Sequence, residues 1–266
     1  MTVSDYRSTL RAAASELARA KRVLVITGAG LSADSGLPTY RGVGGLYDGG
    51  DTEDGISIET ALSGSTLRRQ PEVTWKYILQ IARACAGRAP NAGHHALVQM
   101  QQRFQQFTVL TQNVDGLHAV AGSRDLIEIH GNLRRVWCSQ CGYEMSEPDV
   151  VAFDGAPVCP CCAAIQRPNV VLFGEALPPQ AVERLEQVLE GGIDFVMSIG
   201  TSSGFPYIAG PVAQAARQGL PTLEINPART EVSYLVRHRL AERAAVALPD
   251  LWALINPLRC AAPLPY

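Results

Sequence analysis

Charge is scarce in this chain. Asp, Glu, Lys and Arg make up 18% of 266 residues and the formal net charge is −2, so nothing draws the molecule as a whole toward nucleic acid or an acidic membrane surface. A long apolar run is also lacking: no stretch approaches the roughly 18 apolar residues of a membrane span. Residues 1–8 carry polar and charged groups where a secretory signal has its apolar core. Internal repeats and low-complexity tracts are missing as well. These absences predict a soluble, cytoplasmic protein with no membrane contact and no direct nucleic-acid partner. Hydrophobic residues make up 47%, enough to bury a substantial core in one elaborated domain or two unequal ones and to argue against disorder.

Short apolar runs recur along the chain, at residues 23–26, 107–110, 126–129, 170–173, 195–199 and 222–225. Between them lie loops and helical patterns. Residues 10–21 place Leu10, Ala14, Leu17 and Ala18 at helical spacing, and 71–86 do the same with Val73, Tyr77, Ile78, Ile81, Ala82 and Cys85 before a stop at Pro90-Asn91. A further helix is expected over 94–104. Strands alternating with helices predict an α/β fold, a Rossmann-like parallel sheet with helices on both faces. Between 136 and 168 the pattern changes to cysteines, prolines and turns, which marks an inserted module. Residues 42–55 are dense in Gly and Asp and read as a surface loop beside a ligand.

Gly28, Gly30 and Ala33 satisfy G-x-G-x-x-G/A directly after the first strand run, so a helix opening there would aim amide donors at phosphate. The simpler alternative is a tight turn without a ligand. An ordinary dehydrogenase needs an acidic residue at the end of a second strand about 20 residues on; here that stretch is the Gly/Asp loop. Thr111-Gln112-Asn113-Val114-Asp115 follows another strand run, where open parallel sheets place ligand groups, although Asp115 also suits an Asx turn capping a helix. His130 ends a third run, and the glycine after it leaves room for a substrate. A histidine near neutral pKa is a natural base for a hydroxyl. Among the other histidines, His94 and His95 start a helix, His118 packs or bonds within its loop, and His238 falls in a charged C-terminal helix beside Arg237 and Arg239.

Seven cysteines form an odd set. Cys138-Ser139-Gln140-Cys141 and Cys159-Pro160-Cys161-Cys162, separated by seventeen residues, have the spacing of a structural zinc site, one ion held by Cys138, Cys141, Cys159 and Cys162. Four thiolates leave no open position for catalysis. Cys161 offers a second possible ligand in the later pair, and reduced cysteines without metal are the plain alternative.

Together the glycine loop, Thr111–Asp115, Ile129-His130-Gly131-Asn132 and the paired cysteines resemble the sirtuin family of NAD-dependent protein lysine deacylases over nearly the whole chain. The resemblance implies three parts: an NAD-binding domain formed by 1–41, 91–135 and 168–266, a cofactor loop and helical insertion at 42–90, and a zinc-binding module at 136–167. It implies NAD contacts from Gly28, Ala29, Gly30, Ser32, Tyr40, Arg41, Gln112, Asn113, Asp115, Gly200, Thr201, Ser202, Asn226, Pro227 and Ala244. Tyr40 stands where the family usually has a phenylalanine that shields the reactive ribose carbon, and its hydroxyl can alter that shielding. Catalysis is implied for His130, Asn113 and Asp115: nicotinamide leaves, the acyl oxygen of a modified lysine takes its place on the ribose, and His130 accepts a ribose hydroxyl proton. Lysine, nicotinamide and O-acyl-ADP-ribose are the implied products.

Acyl-lysine protein is the implied partner. Val171, Phe173, Gly174 and Glu175 match the segment that pairs with the substrate peptide and lines the acyl tunnel. Residues 38–45 look like the subgroup that removes succinyl and malonyl groups, but Ile78 and Ile81 stand where that subgroup carries Tyr and Arg. Isoleucine cannot pair a carboxylate, and burying that charge alone is costly, so acetyl or longer neutral acyl groups are expected; Arg83 would rescue a dicarboxylic preference only if the helix were shifted. Competing activities are desuccinylation or demalonylation, NAD glycohydrolysis, ADP-ribosyl transfer, and a non-enzymatic zinc-ribbon interaction module.

Overall fold

The computed structural model describes residues 3–38, 51–146 and 148–256. Helix α1 (Val3–Leu17) leads into β1 (Arg22–Thr27) and then the four-residue helix α2 (Ala29–Ser32). Three helices follow, α3 (Ile58–Ala61), α4 (Gly64–Arg69) and α5 (Pro71–Cys85), and then α6 (Ala92–Met100), β2 (Gln106–Thr111), α7 (Leu117–Ala121) and β3 (Leu126–Glu128). Strands β4 (Gly131–Trp137), β5 (Glu144–Ser146) and β6 (Arg167–Val170) build a second, small sheet. The chain returns through α8 (Pro179–Glu190), β7 (Phe195–Ile199), α9 (Pro206–Arg217), β8 (Thr222–Ile225), β9 (His238–Leu240) and α10 (Ala244–Ile255).

The main sheet has six strands in the order β3-β2-β1-β7-β8-β9, every neighbouring pair parallel. Its central strands β2, β1, β7 and β8 are buried on both faces, as a parallel sheet covered by helices requires. In β1, Val23 and Val25 enter the core shared with α1, α6 and α10, whereas Leu24 and Ile26 enter the opposite core with Leu185, Val188, Ile208 and Val212 of α8 and α9. Period-two alternation thus serves two apolar layers. The chain runs outward from β1 to β3 and then returns to β7 on the other side of β1. The crevice above β1 and β7 is therefore the topological switch point, where this architecture binds ligands.

Several elements differ from expectation. Helix α6 stops at Met100, four residues early, because the chain turns there (Arg103 N–H donates to the Met100 carbonyl, 2.9 Å) and Phe104 stacks on Phe107 at 5.6 Å. Residues 170–173 do not join the parallel sheet. β6 pairs antiparallel with β4, and the following residues bridge to other segments. His238 lies in a strand, the edge strand β9, not in a helix; its Nε2 meets Glu16 Oε2 at 2.8 Å and Arg237 meets Glu16 Oε1 at 2.9 Å. Charged side chains suit an edge strand, and three residues are too few to show a period.

The insertion and the small sheet share a third apolar cluster, with Trp75, Ile78, Ile81, Leu133, Val136, Val170 and Leu172 among its buried members. Trp75 is fully buried and donates its indole N–H to the Gln166 carbonyl at 2.9 Å. That bond ties α5 to the cysteine-bearing module. Among the described residues, no helix is long and apolar enough to cross a membrane.

Candidate active site

The loops after β1 and β7 interlock at the crevice. Gly28 N–H donates to Ile199 O at 3.1 Å and Gly30 N–H to Gly200 O at 2.8 Å. A Cβ on Gly30 would lie 2.8 Å from Gly200 Cα, and one on Gly200, whose φ is +59°, would lie 2.4 Å from Leu31 N. The glycines are thus required first by contact between the two loops. A helix does open there, α2, but it has only four residues, and the Gly30 amide is spent on Gly200.

Side chains lock the neighbouring strand ends together. Gln112 donates to Thr201 Oγ1 at 2.8 Å, and Asn226 Nδ2 donates to the Thr201 carbonyl at 3.1 Å, joining the ends of β2, β7 and β8. Ser202 and Pro227 are exposed beside them. Ala244, at the start of α10, is buried in the main core, so its methyl group serves packing.

Below the glycine loop lies a pocket lined by Ala29, Ser32, Asn113 and Asp115 on its polar side and by Ile81 and Cys85 on its apolar side. Asn113 donates to Gly28 O and to Ser32 Oγ, both at 3.1 Å, and Ser32 donates to Asp115 Oδ2 at 2.7 Å. Asp115 Oδ1 accepts the Leu117 amide at 2.8 Å, an Asx turn that leads into α7, so that turn and the pocket use the same carboxylate. Burial raises the Asp115 pKa, against the lowering effect of the Leu117 amide, the Ser32 hydroxyl and the Arg134 charge. Burial beside Asp115 pushes the Cys85 thiol up to about 12, so it stays neutral and inert.

His130 is held at both ring nitrogens. Nδ1 lies 3.1 Å from the Gln112 carbonyl, which can only accept, so Nδ1 carries the hydrogen. Nε2 lies 2.7 Å from the Tyr207 hydroxyl, which then donates to it. Phe205 and Tyr207 stack on each other at 5.3 Å and both present T-shaped contacts to the imidazole at 5.8 and 5.9 Å. Burial lowers the His130 pKa, with the Gln112 carbonyl opposing, so the ring is a neutral base at pH 7. The next residue, Gly131, has φ +79°, and a Cβ there would lie 2.0 Å from Asn169 O. This glycine makes room for β6, not for a substrate. Phe205 and Tyr207 were not legible as site residues; the available signal was an aromatic pair around Pro206 that follows the strand-end Gly200-Thr201-Ser202 after Ser203 and Gly204.

The predicted substrate segment is a junction. Val171 N–H donates to His130 O at 2.9 Å, Phe173 N–H to Leu62 O at 2.9 Å, and Phe173 O accepts from Gly64 N at 3.1 Å. These backbone groups are already used within the chain. Phe173 is 42% exposed, and Gly174 adopts φ +80° beside it. Glu175 makes a bidentate pair with Arg167 (2.8 and 2.7 Å) and accepts the Leu172 amide at 3.0 Å, so it braces the turn from within. Although burial raises the Glu175 pKa, those bonds outweigh it and the net shift is downward. Ile78 is buried in the apolar cluster, whereas Ile81 reaches the pocket. Arg83 faces a different, polar groove with Glu72, Lys76, Gln80 and Asp154.

The thiol sulfurs of Cys138, Cys141, Cys159 and Cys162 lie within 4.8 Å of one another, with Cys138–Cys162 at 3.4 Å and Cys141–Cys159 at 3.6 Å. Tetrahedral zinc with Zn–S bonds of about 2.3 Å needs sulfurs about 3.8 Å apart, so this cluster fits a structural zinc ion. Each pair sits in a similar turn. Gly142 N–H bonds Cys138 O and Ala163 N–H bonds Cys159 O, both at 2.9 Å, with φ +75° and +61°. Cys161 is exposed and gives Cys159 Sγ only its backbone amide, at 3.4 Å, which resolves the choice in favour of Cys162.

The model of the Sir2 family matches residues 28–205, a span from the glycine loop to Phe205. The chain belongs to the Sir2 family. This Sir2 protein is 51% identical over 242 residues to NAD-dependent protein deacylase 2 of Pseudomonas syringae pv. tomato, covering 90% of this chain and 97% of that one. It is 46% identical over 250 residues to NAD-dependent protein deacylase 2 of Pseudomonas aeruginosa, covering 93% and 97%. A solved Sir2 homologue–NAD complex matches with a TM-score of 0.78 at 29% identity, covering 91% of this chain and 92% of that one. A Sir2 protein bound to a myristoylated histone peptide matches with a TM-score of 0.76 at 25% identity, covering 96% and 100%. Two expected cofactor contacts of this Sir2 protein, Tyr40 and Arg41, lie outside the described residues, as does most of the Gly/Asp loop.

Proposed function

We propose that this Sir2 protein is an NAD-dependent protein lysine deacylase that favours acetyl and longer neutral acyl groups and returns O-acyl-ADP-ribose and nicotinamide. The observation that carries the reading is the neutral imidazole of His130, fixed in one tautomer at a strand end of the switch-point crevice. NAD fits the residues present: the pocket under the glycine loop joins a polar wall, Ser32, Asn113 and Asp115, to an apolar one. As co-substrate, NAD supplies a departing nicotinamide and an electrophilic ribose carbon. Asn113 and Asp115 hold and orient the nicotinamide ribose, the Gly200–Ser202 and Asn226–Pro227 loops hold the adenosine, and His130 Nε2 accepts the proton of a ribose hydroxyl. The zinc cluster braces the fold and takes no part in the reaction.

Relatives support the substrate class. Those at 51% and 46% identity are named as deacylases, and a structural neighbour holds a myristoylated histone peptide. The acyl preference rests on Ile81, which lines the pocket and offers no partner to a carboxylate, and on Arg83, which faces the separate polar groove. One peptide carrying acetyl, succinyl or decanoyl lysine tests it. Acetyl and decanoyl forms should turn over at least about tenfold faster than the succinyl form, since an unpaired buried carboxylate costs well over 1 kcal/mol. A succinyl preference would overturn the assignment.

A further inference from the structure

We infer that Tyr207 is the hydroxyl through which His130 draws the substrate proton, holding the base in register and accepting the imidazolium N–H once the proton has passed. This rests on the deacylase reading above. Tyr207 comes from α9, an element separate from those that carry the other catalytic candidates, and its hydroxyl lies 2.7 Å from His130 Nε2. Its ring is stacked on Phe205, 5.3 Å between centroids and 13° between planes. The phenol therefore does not sample freely: its own ring is stacked, and both aromatic rings stand edge-to-face against the imidazole. With Nδ1 anchored on the Gln112 carbonyl, the imidazole is held at both nitrogens.

Neutral Nε2 accepts the phenolic hydrogen. Nε2 has one lone pair and the phenol fills it, so the phenol oxygen takes the substrate hydroxyl proton as its own hydrogen passes to Nε2; the new N–H then points at a phenol oxygen already within bonding distance, and the hydrogen that oxygen now carries faces the open side of the half-buried Tyr207. The second arrangement is the stronger, since hydrogen bonds to a charged group are roughly twice as strong as neutral ones. Tyr207 thus favours the protonated ring, offsetting part of the burial that makes His130 a weak base. Among the described residues, Tyr207 is the titratable side chain bonded to the ring; the Gln112 carbonyl bonds its other nitrogen and Phe205 stands in a T-shaped contact with it.

The test is Tyr207→Phe, which keeps the stacked ring and removes only the hydroxyl, with two readouts. By NMR titration of the free protein, the His130 midpoint should move to lower pH in the variant. In deacylation, kcat should fall on the order of tenfold while KM for NAD and for peptide stays within about twofold, the difference between a charge-assisted and a neutral hydrogen bond. An unchanged midpoint, or a loss confined to KM, would overturn the proposal. Absence of acyl-dependent turnover in the unmodified protein would instead remove the deacylase reading, and the midpoint comparison would still decide whether Tyr207 tunes His130.

Discussion

Ser32 donates its hydroxyl hydrogen to Asp115 at 2.7 Å, one of the bonds that tie the segment after β1 to the loop after β2. Asn113 donates to the same Ser32 oxygen, and the three side chains act as one unit. Ser32→Ala leaves Asp115 with one partner fewer in a place where burial already disfavours its charge. The expected outcome is a loss on the order of tenfold in kcat/KM for NAD, with the melting temperature changed by only a few degrees. Initial-rate kinetics at varied NAD check it.

His130→Ala should abolish deacylation while preserving the fold. The imidazole bonds one backbone carbonyl and one hydroxyl and contributes no buried charge. Circular dichroism and NAD binding by calorimetry should match the parent protein. Turnover retained above about one part in a hundred would contradict a general-base role, which contributes about 10²–10⁴-fold.

Acid should weaken the fold through His94 and His118. Both are buried against each other, 5.0 Å between centroids. Burial first lowers His94 to about 4 and His118 to about 3 from the ordinary 6.5, with His95 adding to the shift of His94 and His94 to that of His118. The unfolded chain therefore binds more protons than the folded one below pH 6.5. The stability that depends on keeping these rings neutral is present above pH 6.5 and is lost as pH falls toward 4 and 3. The urea midpoint should drop across that window, and His94→Gln, which retains a side chain suited to the third position of the helix capping box, should flatten the slope. Equal slopes in both proteins would rule the pair out as its source.

Arg167→Gln removes the charge that compensates Glu175, which is only 18% exposed. About 1–3 kcal/mol of local stability should be lost, and the turn carrying Val171 and Phe173 should loosen. KM for peptide should rise several-fold while KM for NAD stays level. A parallel rise in both would place the pair in general stability instead.

Chelation should unfold the module of β4, β5 and the two cysteine turns, and lower activity through the bond from Trp75 to Gln166. The second turn carries Ala163 at φ +61° where the first has Gly142. Ala163→Gly should relieve about 1 kcal/mol of left-handed strain and slow zinc loss to a chelator, measured with a chromogenic dye.

Much of this was legible because the chemistry-bearing residues sit beside short apolar runs. Residues 23–26, 107–110, 195–199 and 222–225 announce buried parallel strands, and ligand groups collect at their ends. Cysteine spacing reports a local turn, so the cluster followed directly. Long-range partnership was not legible. The run at 170–173 could not reveal that Val171 would bond His130 and that Phe173 would bond Leu62 and Gly64. The pairing of His130 with Tyr207 spans 77 residues, and neither neighbourhood carries a local sign of the other. The glycine loop was misread in one respect for the same reason: its closest neighbour, Gly200, arrives from another strand.

Mass spectrometry of NAD incubated with an acetyl-lysine peptide tests the central claim most directly. Nicotinamide, free-lysine peptide and O-acetyl-ADP-ribose should appear in equal amounts, and none should form without the acetyl group. Nicotinamide release that proceeds equally well without acetyl peptide, leaving ADP-ribose as the sole sugar product, would contradict it.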